Sequence, residues 1–232
     1  DECTSYPSSK DQADLAMRRS MRWARACRER FVERPGYLLF GIVQGGMYPE
    51  LRHDSIEALK KIGFHGYAIG GLAVGEGQQN MLNILDSLKD AMPISYPRYL
   101  MGVGTPVDII KSVAKGIDMF DCVLPTRSGR TGRAYTSEGT LNIRNACHSS
   151  SSQPLDSACL CSVCRSYSVA YLHHLFRCNE MLGPILLTHH NVSFYQKLMK
   201  DIREAIRNKL FNTFANKFID KINAVDKGVT KS

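Results

Sequence analysis

Apolar positions along the chain alternate between two rhythms. From Leu38 to Gly46 the run LLFGIVQGG is almost unbroken in apolar character before ending in glycines, the texture of a strand buried on both faces, with Gln44 at its carboxyl end. Residues 49–62 then set Leu51, Ile56, Leu59 and Ile62 on one side at helical spacing. The pair recurs. HGYAIGGLAVGE (His65 to Glu76) reads as a second strand entering a glycine-rich loop, and Met81, Leu82, Leu85 and Leu88 mark the helix after it. PRYLMGVG (Pro97 to Gly104) reads as a third strand, followed by a helix from near Pro106 through Ile109, Ile110 and Val113. DMFDCVLP, starting at Asp118, reads as a fourth buried strand with Asp121 in its middle, breaking at Pro125 into a loop that carries Arg127, Arg130 and Arg133. Upstream, Ala13, Met17, Trp23, Cys27 and Phe31 predict an amphipathic helix over 10–33 with solvated arginines, and the opening DEC reads as the end of another strand.

Past the fourth strand the rhythm changes. GRAYTSEGTLNIRN (Gly132 to Asn145) alternates as a hairpin turning at Glu138 and Gly139. A serine-rich connector, Ser149 to Ser152, leads to PLDSACLCSVC, and helices are predicted over about 166–182 and 190–208, then a polar final one with a frayed end, DKGVTKS.

Strands alternating with helices are the signature of βα units and a parallel sheet. Each strand ends in glycines or polar residues, which suits a (β/α) barrel, where strand-to-helix loops build the working face. Four strands, or five with DEC, do not close an eight-stranded barrel. The chain starts at Asp1 rather than Met, so the expectation is a partial (β/α)8 TIM barrel of about the last four to five βα units, its earlier strands lying upstream. The expected division is 1–145 for the partial barrel with its hairpin, 146–190 for a metal-binding subdomain, and 191–232 for C-terminal helices covering the barrel exterior.

A composition of 44% apolar residues excludes a disordered chain. No apolar run reaches the roughly 20 residues of a membrane span, and the first residues have no signal-peptide pattern, so the expected location is cytoplasmic. Thirty Lys and Arg against 22 Asp and Glu leave a formal charge of +8, which favours a polyanionic partner. At the fourth strand, the arginines would draw an anionic substrate towards Asp121, which would act as nucleophile or base. A strand-end aspartate capping a turn is the plain alternative for that segment alone.

Eight cysteines without a secretory signal argue against a disulfide framework, and Cys159, Cys161 and Cys164 cluster as C-x-C-x2-C. Three thiolates on one turn plus an imidazole make a closed, structural zinc site. The spacing leaves the fourth ligand open among His173, His174, His189, His190 and Cys178.

Together the segments DECTSYP, GIVQGG, GYAIGGLAVGE, RYLMGVGTP, GIDMFDCVLPTRSGRTG, LNIRNA, PLDSACLCSVC, YLHHL and THHN resemble the bacterial-type queuine tRNA-ribosyltransferases, or tRNA-guanine transglycosylases, over almost every residue to about Asn208. That resemblance implies a (β/α)8 barrel with a zinc-binding insertion near its end, and exchange of the wobble guanine of queuosine-type tRNAs for 7-aminomethyl-7-deazaguanine. It makes Asp121 the nucleophile in a covalent Asp-ribosyl intermediate, and assigns Asp1, Cys3, Gln44, Gly71, Leu72, Tyr99 and Met101 to the base pocket. It gives the anticodon loop to Gly102, Val103, Gly104, Thr105, Pro106, Val107 and Asp108, and to Thr126, Arg127, Ser128, Gly129 and Arg130. His190, which precedes Asn191, becomes the fourth zinc ligand, and Val74 favours the smaller base over queuine. The resemblance further implies a homodimer at full length. It places a second active-site aspartate and the aromatic over the base upstream of Asp1, so these 232 residues alone are expected to be inactive. The rival reading is a non-catalytic, zinc-containing tRNA-binding relative of the partner-subunit type.

Overall fold

The structure is a computed structural model that describes the backbone through Val229 and side chains through residue 222. It divides into two compact units, Asp1–Cys122 and Val123 onward.

In the first unit, helix α1 (Lys10–Arg30) opens on a capping box in which Ser9 and Gln12 satisfy each other's backbone N–H groups. Its buried face is Ala13, Ala16, Met17 and Ser20, whereas Trp23 and Cys27, expected on the apolar stripe, are exposed. Trp23 lies six residues beyond Met17, about 240° around the helix, and so falls off that face. Four parallel strands follow, β1 (Phe40–Val43), β2 (Gly66–Ile69), β3 (Arg98–Leu100) and β4 (Met119–Phe120), in the order β1-β2-β3-β4. Helices α2 (Pro49–Ile62), α3 (Gln78–Leu88) and α4 (Pro106–Val113) make the crossovers. Val43, Ile56, Leu59, Ile69, Leu85, Leu88 and Leu100 are shut away from solvent in one apolar cluster. This is the parallel α/β arrangement that the repeated rhythm predicts.

Two expectations here need correction. DEC forms no ladder; its backbone is held instead by Glu2 N–H donating to Ser20 Oγ at 2.8 Å. The fourth strand is two residues long, Met119 is 44% exposed, and Asp121 is exposed just beyond the strand rather than buried within it. Among the described residues β4 pairs only with β3, so its apolar run has no second neighbour to bury it.

In the second unit, Pro125 begins a helix instead of breaking into a loop. α5 (Leu124–Thr131) carries Arg127 and Arg130, with Pro125 in the first turn, where no N–H is required, and the left-handed Gly132 closing it. Strands β5 (Arg133–Thr136) and β6 (Gly139–Asn142) form the antiparallel hairpin expected there. A 3-10 turn (Ala146–His148) and short α6 (Ser162–Ser166) precede α7 (Val169–Arg177), α8 (Leu182–Arg207) and α9 (Phe211–Val229). The helix expected from 190 starts eight residues earlier, because Gly183 and Pro184 occupy a first turn that tolerates both. α9 continues into the segment expected to fray; residues 230–232 lie outside the described residues.

Buried Asn191 on α8 organises this unit. Its Nδ2 donates to the carbonyls of Pro125 (3.0 Å) and Arg133 (2.9 Å), and its Oδ1 accepts from Tyr135 N–H (3.0 Å). Helix α5 lies so close to α8 that a Cβ on Gly129 would stand 2.6 Å from Thr188 Oγ1 and 2.7 Å from the Thr188 backbone. Among the described residues, no helix is long and apolar enough to cross a membrane.

Candidate functional site

Parallel strands end on one side of their sheet, and in the first unit that side gathers the polar residues. Gln44 follows β1, Gly70 and Gly71 follow β2, Met101 and Gly102 follow β3, and Asp121 follows β4. The Asp121 carboxylate is anchored through one oxygen: Oδ1 accepts from Tyr99 Oη at 2.6 Å and from Gly102 N–H at 2.7 Å. Burial first, then the hydrogen bond to Asp121 and its charge, push the Tyr99 phenol up to about 12, so it is a neutral donor at ordinary pH. The result is a fixed, solvent-accessible carboxylate, a group of the kind that can attack an electrophilic carbon.

Beside β1 and β2, Gln44 is 2% exposed, its backbone N–H bonded to Ser55 Oγ (3.1 Å) and its side-chain Nε2 donating to Asp1 Oδ2 (2.7 Å). Gly71, at φ +67°, lies so close that a Cβ would meet Gln44 Oε1 at 2.6 Å. An amide, a carboxylate and bare peptide edges form a hydrogen-bonding surface for a flat polar ring.

The second unit carries a separate chemical centre. Ligand atoms of Cys159, Cys161, Cys164 and His190 all lie within 4.8 Å of one another. His190 Nδ1 is 3.9, 3.6 and 3.3 Å from the three sulfurs, near the roughly 3.5 Å edge of a tetrahedron built with ordinary Zn–S and Zn–N bonds. Its Nε2 lies 2.8 Å from the Tyr135 carbonyl, which leaves Nδ1 as the lone pair turned towards the sulfurs. Cys161 caps α6 by accepting from Cys164 N–H, and Asp156 takes N–H bonds from Ser137 and Ala158, tying the cysteine loop to the hairpin turn. Burial pushes the Cys159 and Cys164 thiols up and the His190 imidazole down. Three sulfurs this close cannot all ionise without a cation between them, and the group could hold a metal ion.

Comparison with known proteins bears on both centres. The family profile described as Queuine tRNA-ribosyltransferase matches residues 1–224. The chain belongs to the queuine tRNA-ribosyltransferase family. Among curated proteins of that name, the one from Gluconacetobacter diazotrophicus is 58% identical over 206 residues, 89% of this chain and 53% of that protein. The Granulibacter bethesdensis protein is 57% identical over 206 residues, covering 89% and 54%. The Jannaschia protein is 54% identical over 218 residues, covering 94% and 58%. The chain thus spans somewhat more than half the length of the curated relatives it matches.

The residues that the family resemblance assigns fall unevenly on the surface. Asp1, Cys3, Gly102 and Asp121 are exposed, Gly71, Tyr99 and Met101 are half-buried, and Gln44 and Leu72 are buried. In the stretch 102–108, Val103, Gly104 and Pro106 are buried, while Thr105 and Asp108 spend their side chains on the capping box of α4. In 126–130, Arg127 and Arg130 are exposed, and Ser128 and Gly129 are buried. Arg127 also lines a hollow of about 240 Å³ with Thr131, Arg133 and Asn142. For the other candidate metal ligands, His173 Nδ1 is 2.7 Å from the Ile143 carbonyl, His189 is 3.2 Å from Ser162 Oγ, and His174 and Cys178 face each other.

Three residues carry more than their sequence pattern shows. Tyr99 reads from sequence only as a wall, yet its hydroxyl holds the aspartate. Glu76 accepts the Ala73 and Val74 N–H groups and so shapes the glycine-rich loop. Arg52, on a helix, has no neighbour in sequence that marks it as fully buried.

Proposed function

We propose that this chain serves tRNA-guanine transglycosylation, the replacement of the wobble guanine of queuosine-type tRNAs by 7-aminomethyl-7-deazaguanine. The carrying observation is Asp121, exposed at a strand end and held through Oδ1 by Tyr99 and Gly102. In this reading the Asp121 carboxylate attacks the ribose anomeric carbon, the glycosidic bond breaks, and guanine departs with the bonding electron pair and gains a proton. The incoming base, having lost a proton from its attacking nitrogen, then displaces Asp121 from the same carbon, so the sugar configuration is retained. The Asp1–Gln44 pair, the Gly71 and Leu72 backbone, and Tyr99 and Met101 receive the base, with Cys3 nearby. Val74, partly exposed on the same loop, favours the smaller base.

The four parallel strands are read as consecutive strands of a (β/α)8 barrel, with 1–145, 146–190 and 191–232 as barrel portion, zinc-binding insertion and outer helices. Zinc at Cys159, Cys161, Cys164 and His190 would be structural, its four positions filled by protein, and when bound it supplies charge neutralisation and a cross-link. Arg127 and Arg130, exposed on α5, neutralise anticodon-loop phosphates together with the peptide edges of 102–108. The full-length enzyme works as a cytoplasmic homodimer. The 232 residues alone do not turn over tRNA, since a four-stranded sheet supplies half the strands that close such a barrel.

The test is exchange of labelled guanine into tRNA. The full-length enzyme is expected to incorporate label, and Asp121→Asn to bind the same tRNA without incorporation. Incorporation by Asp121→Asn, or by the 232-residue chain, contradicts the corresponding part of this reading. Binding without exchange by the unaltered full-length protein would instead favour the non-catalytic relative.

A further inference from the structure

Arg52, on α2, is 0% exposed, and it spends its guanidinium on backbone carbonyls. Nε donates to Gly46 O at 2.7 Å, Nη1 to Val43 O at 3.4 Å, and Nη2 to Gly70 O at 3.0 Å and Gly71 O at 3.4 Å. These carbonyls belong to the end of β1 at Val43 and to the loops that leave β1 and β2, so one planar fork spans both loops. Burial pulls the guanidinium down to about 10, partly offset by Cys3 and Glu76, and it remains charged at neutral pH. Burying a charge is costly, and here the cost is offset by the four carbonyls that the guanidinium satisfies.

The directions of the carbonyls suggest what it does. A trans peptide is planar, with C=O and N–H on opposite sides. Drawing the Gly70 and Gly71 carbonyls to the guanidinium turns the Gly71 and Leu72 N–H groups away from α2. Both peptides adjoin Gln44, since a Cβ on Gly70 or Gly71 would strike its side-chain amide at 2.7 or 2.6 Å. We propose that Arg52 is a positioning residue for base recognition: it fixes these two peptides so that the site offers N–H donors, and thereby selects a 6-oxo over a 6-amino 7-deazapurine. The inference rests on the transglycosylase reading above.

The test uses the full-length enzyme, with Arg52→Lys, which keeps charge and some of the carbonyl bonds, and Arg52→Met, which keeps volume. In folded variants the KM for the 7-deazaguanine base is expected to rise at least tenfold, with the KM for tRNA unchanged within twofold. The preference for the 6-oxo base over its 6-amino analogue is expected to shrink, more in Arg52→Met than in Arg52→Lys. Unchanged base KM and unchanged preference, or losses in kcat that track the folded fraction alone, overturn the proposal. On unaltered enzyme, hydrogen exchange at Gly71 and Leu72 is expected to slow when the base is added; no change at either amide overturns it whether or not the variants fold. If the unaltered enzyme neither exchanges guanine nor binds the base, the transglycosylase reading falls; if it does both and the Arg52 results fail, only this inference falls.

Discussion

At the scale of single residues, the decisive interaction is between a phenol and a carboxylate. Tyr99 and Gly102 N–H hold one oxygen of Asp121, which fixes the carboxylate for the proposed attack. Removing the phenol in Tyr99→Phe is expected to lower kcat by about tenfold, the order of one hydrogen bond to a charged group, with the fold retained. The bond also has a signature in pH. The Tyr99 pKa is raised in the folded protein, from 10 to about 12, so the folded state keeps its proton where the unfolded chain loses it. Its contribution is complete below pH 10 and is lost as pH rises towards 12. Denaturant unfolding of the unaltered chain should weaken more steeply than that of Tyr99→Phe across this window; parallel curves would contradict the assignment. Gln44 was legible as a strand-end residue because it closes an apolar run, whereas Asp121 stood out only as an acid within one. Its place past the strand was hidden because Cys122, Val123 and Leu124 continue the apolar run. Arg52 was not legible, because an arginine within a helical pattern reads as solvated, and only the neighbouring loops reveal the carbonyls it meets.

At the scale of elements, the hairpin and the three crossover helices follow the apolar periodicity almost residue for residue, α2 with the same ends, 49–62. Periodicity failed where Pro125 was taken as a break and where the long helix was set to begin at 190. Pro125 and Pro184 both lie in first turns, so the arginine loop became α5 and α8 began eight residues early. The spacing of the cysteines was legible, but the fourth ligand was not legible from residue types, since five side chains qualified. The long helix sets His190 against the three sulfurs and Asn191 against Tyr135, so that His190 and the three cysteines together could hold a metal. The unaltered protein is expected to hold about one zinc per chain, and His190→Ala or Cys164→Ser to lose it together with several kcal/mol of stability. Elemental analysis with unfolding curves checks this; a metal-free protein of full stability would contradict it.

At the scale of the whole molecule, the parallel sheet and the metal group lie in different compact units, joined in sequence between Cys122 and Val123, immediately after the carboxylate. Net charge of +8 indicates the class of partner but not its place. In the stretches assigned to RNA, Val103, Gly104, Pro106, Ser128 and Gly129 are buried, leaving Arg127 and Arg130 as the exposed cations. Replacing both by alanine in the full-length enzyme should weaken anticodon stem-loop binding and reduce the slope of log affinity against log salt by about two, one for each phosphate no longer neutralised. An unchanged slope would remove α5 from the RNA surface.

The account stands on Asp121 bonding to a sugar carbon, and trapping that bond tests it most directly. Full-length enzyme mixed with anticodon stem-loop RNA, quenched under denaturing conditions and digested, is expected to yield one peptide carrying a ribosyl ester on Asp121, absent from Asp121→Asn. An ester on another residue, or guanine exchange with no ester at any time point, would contradict it.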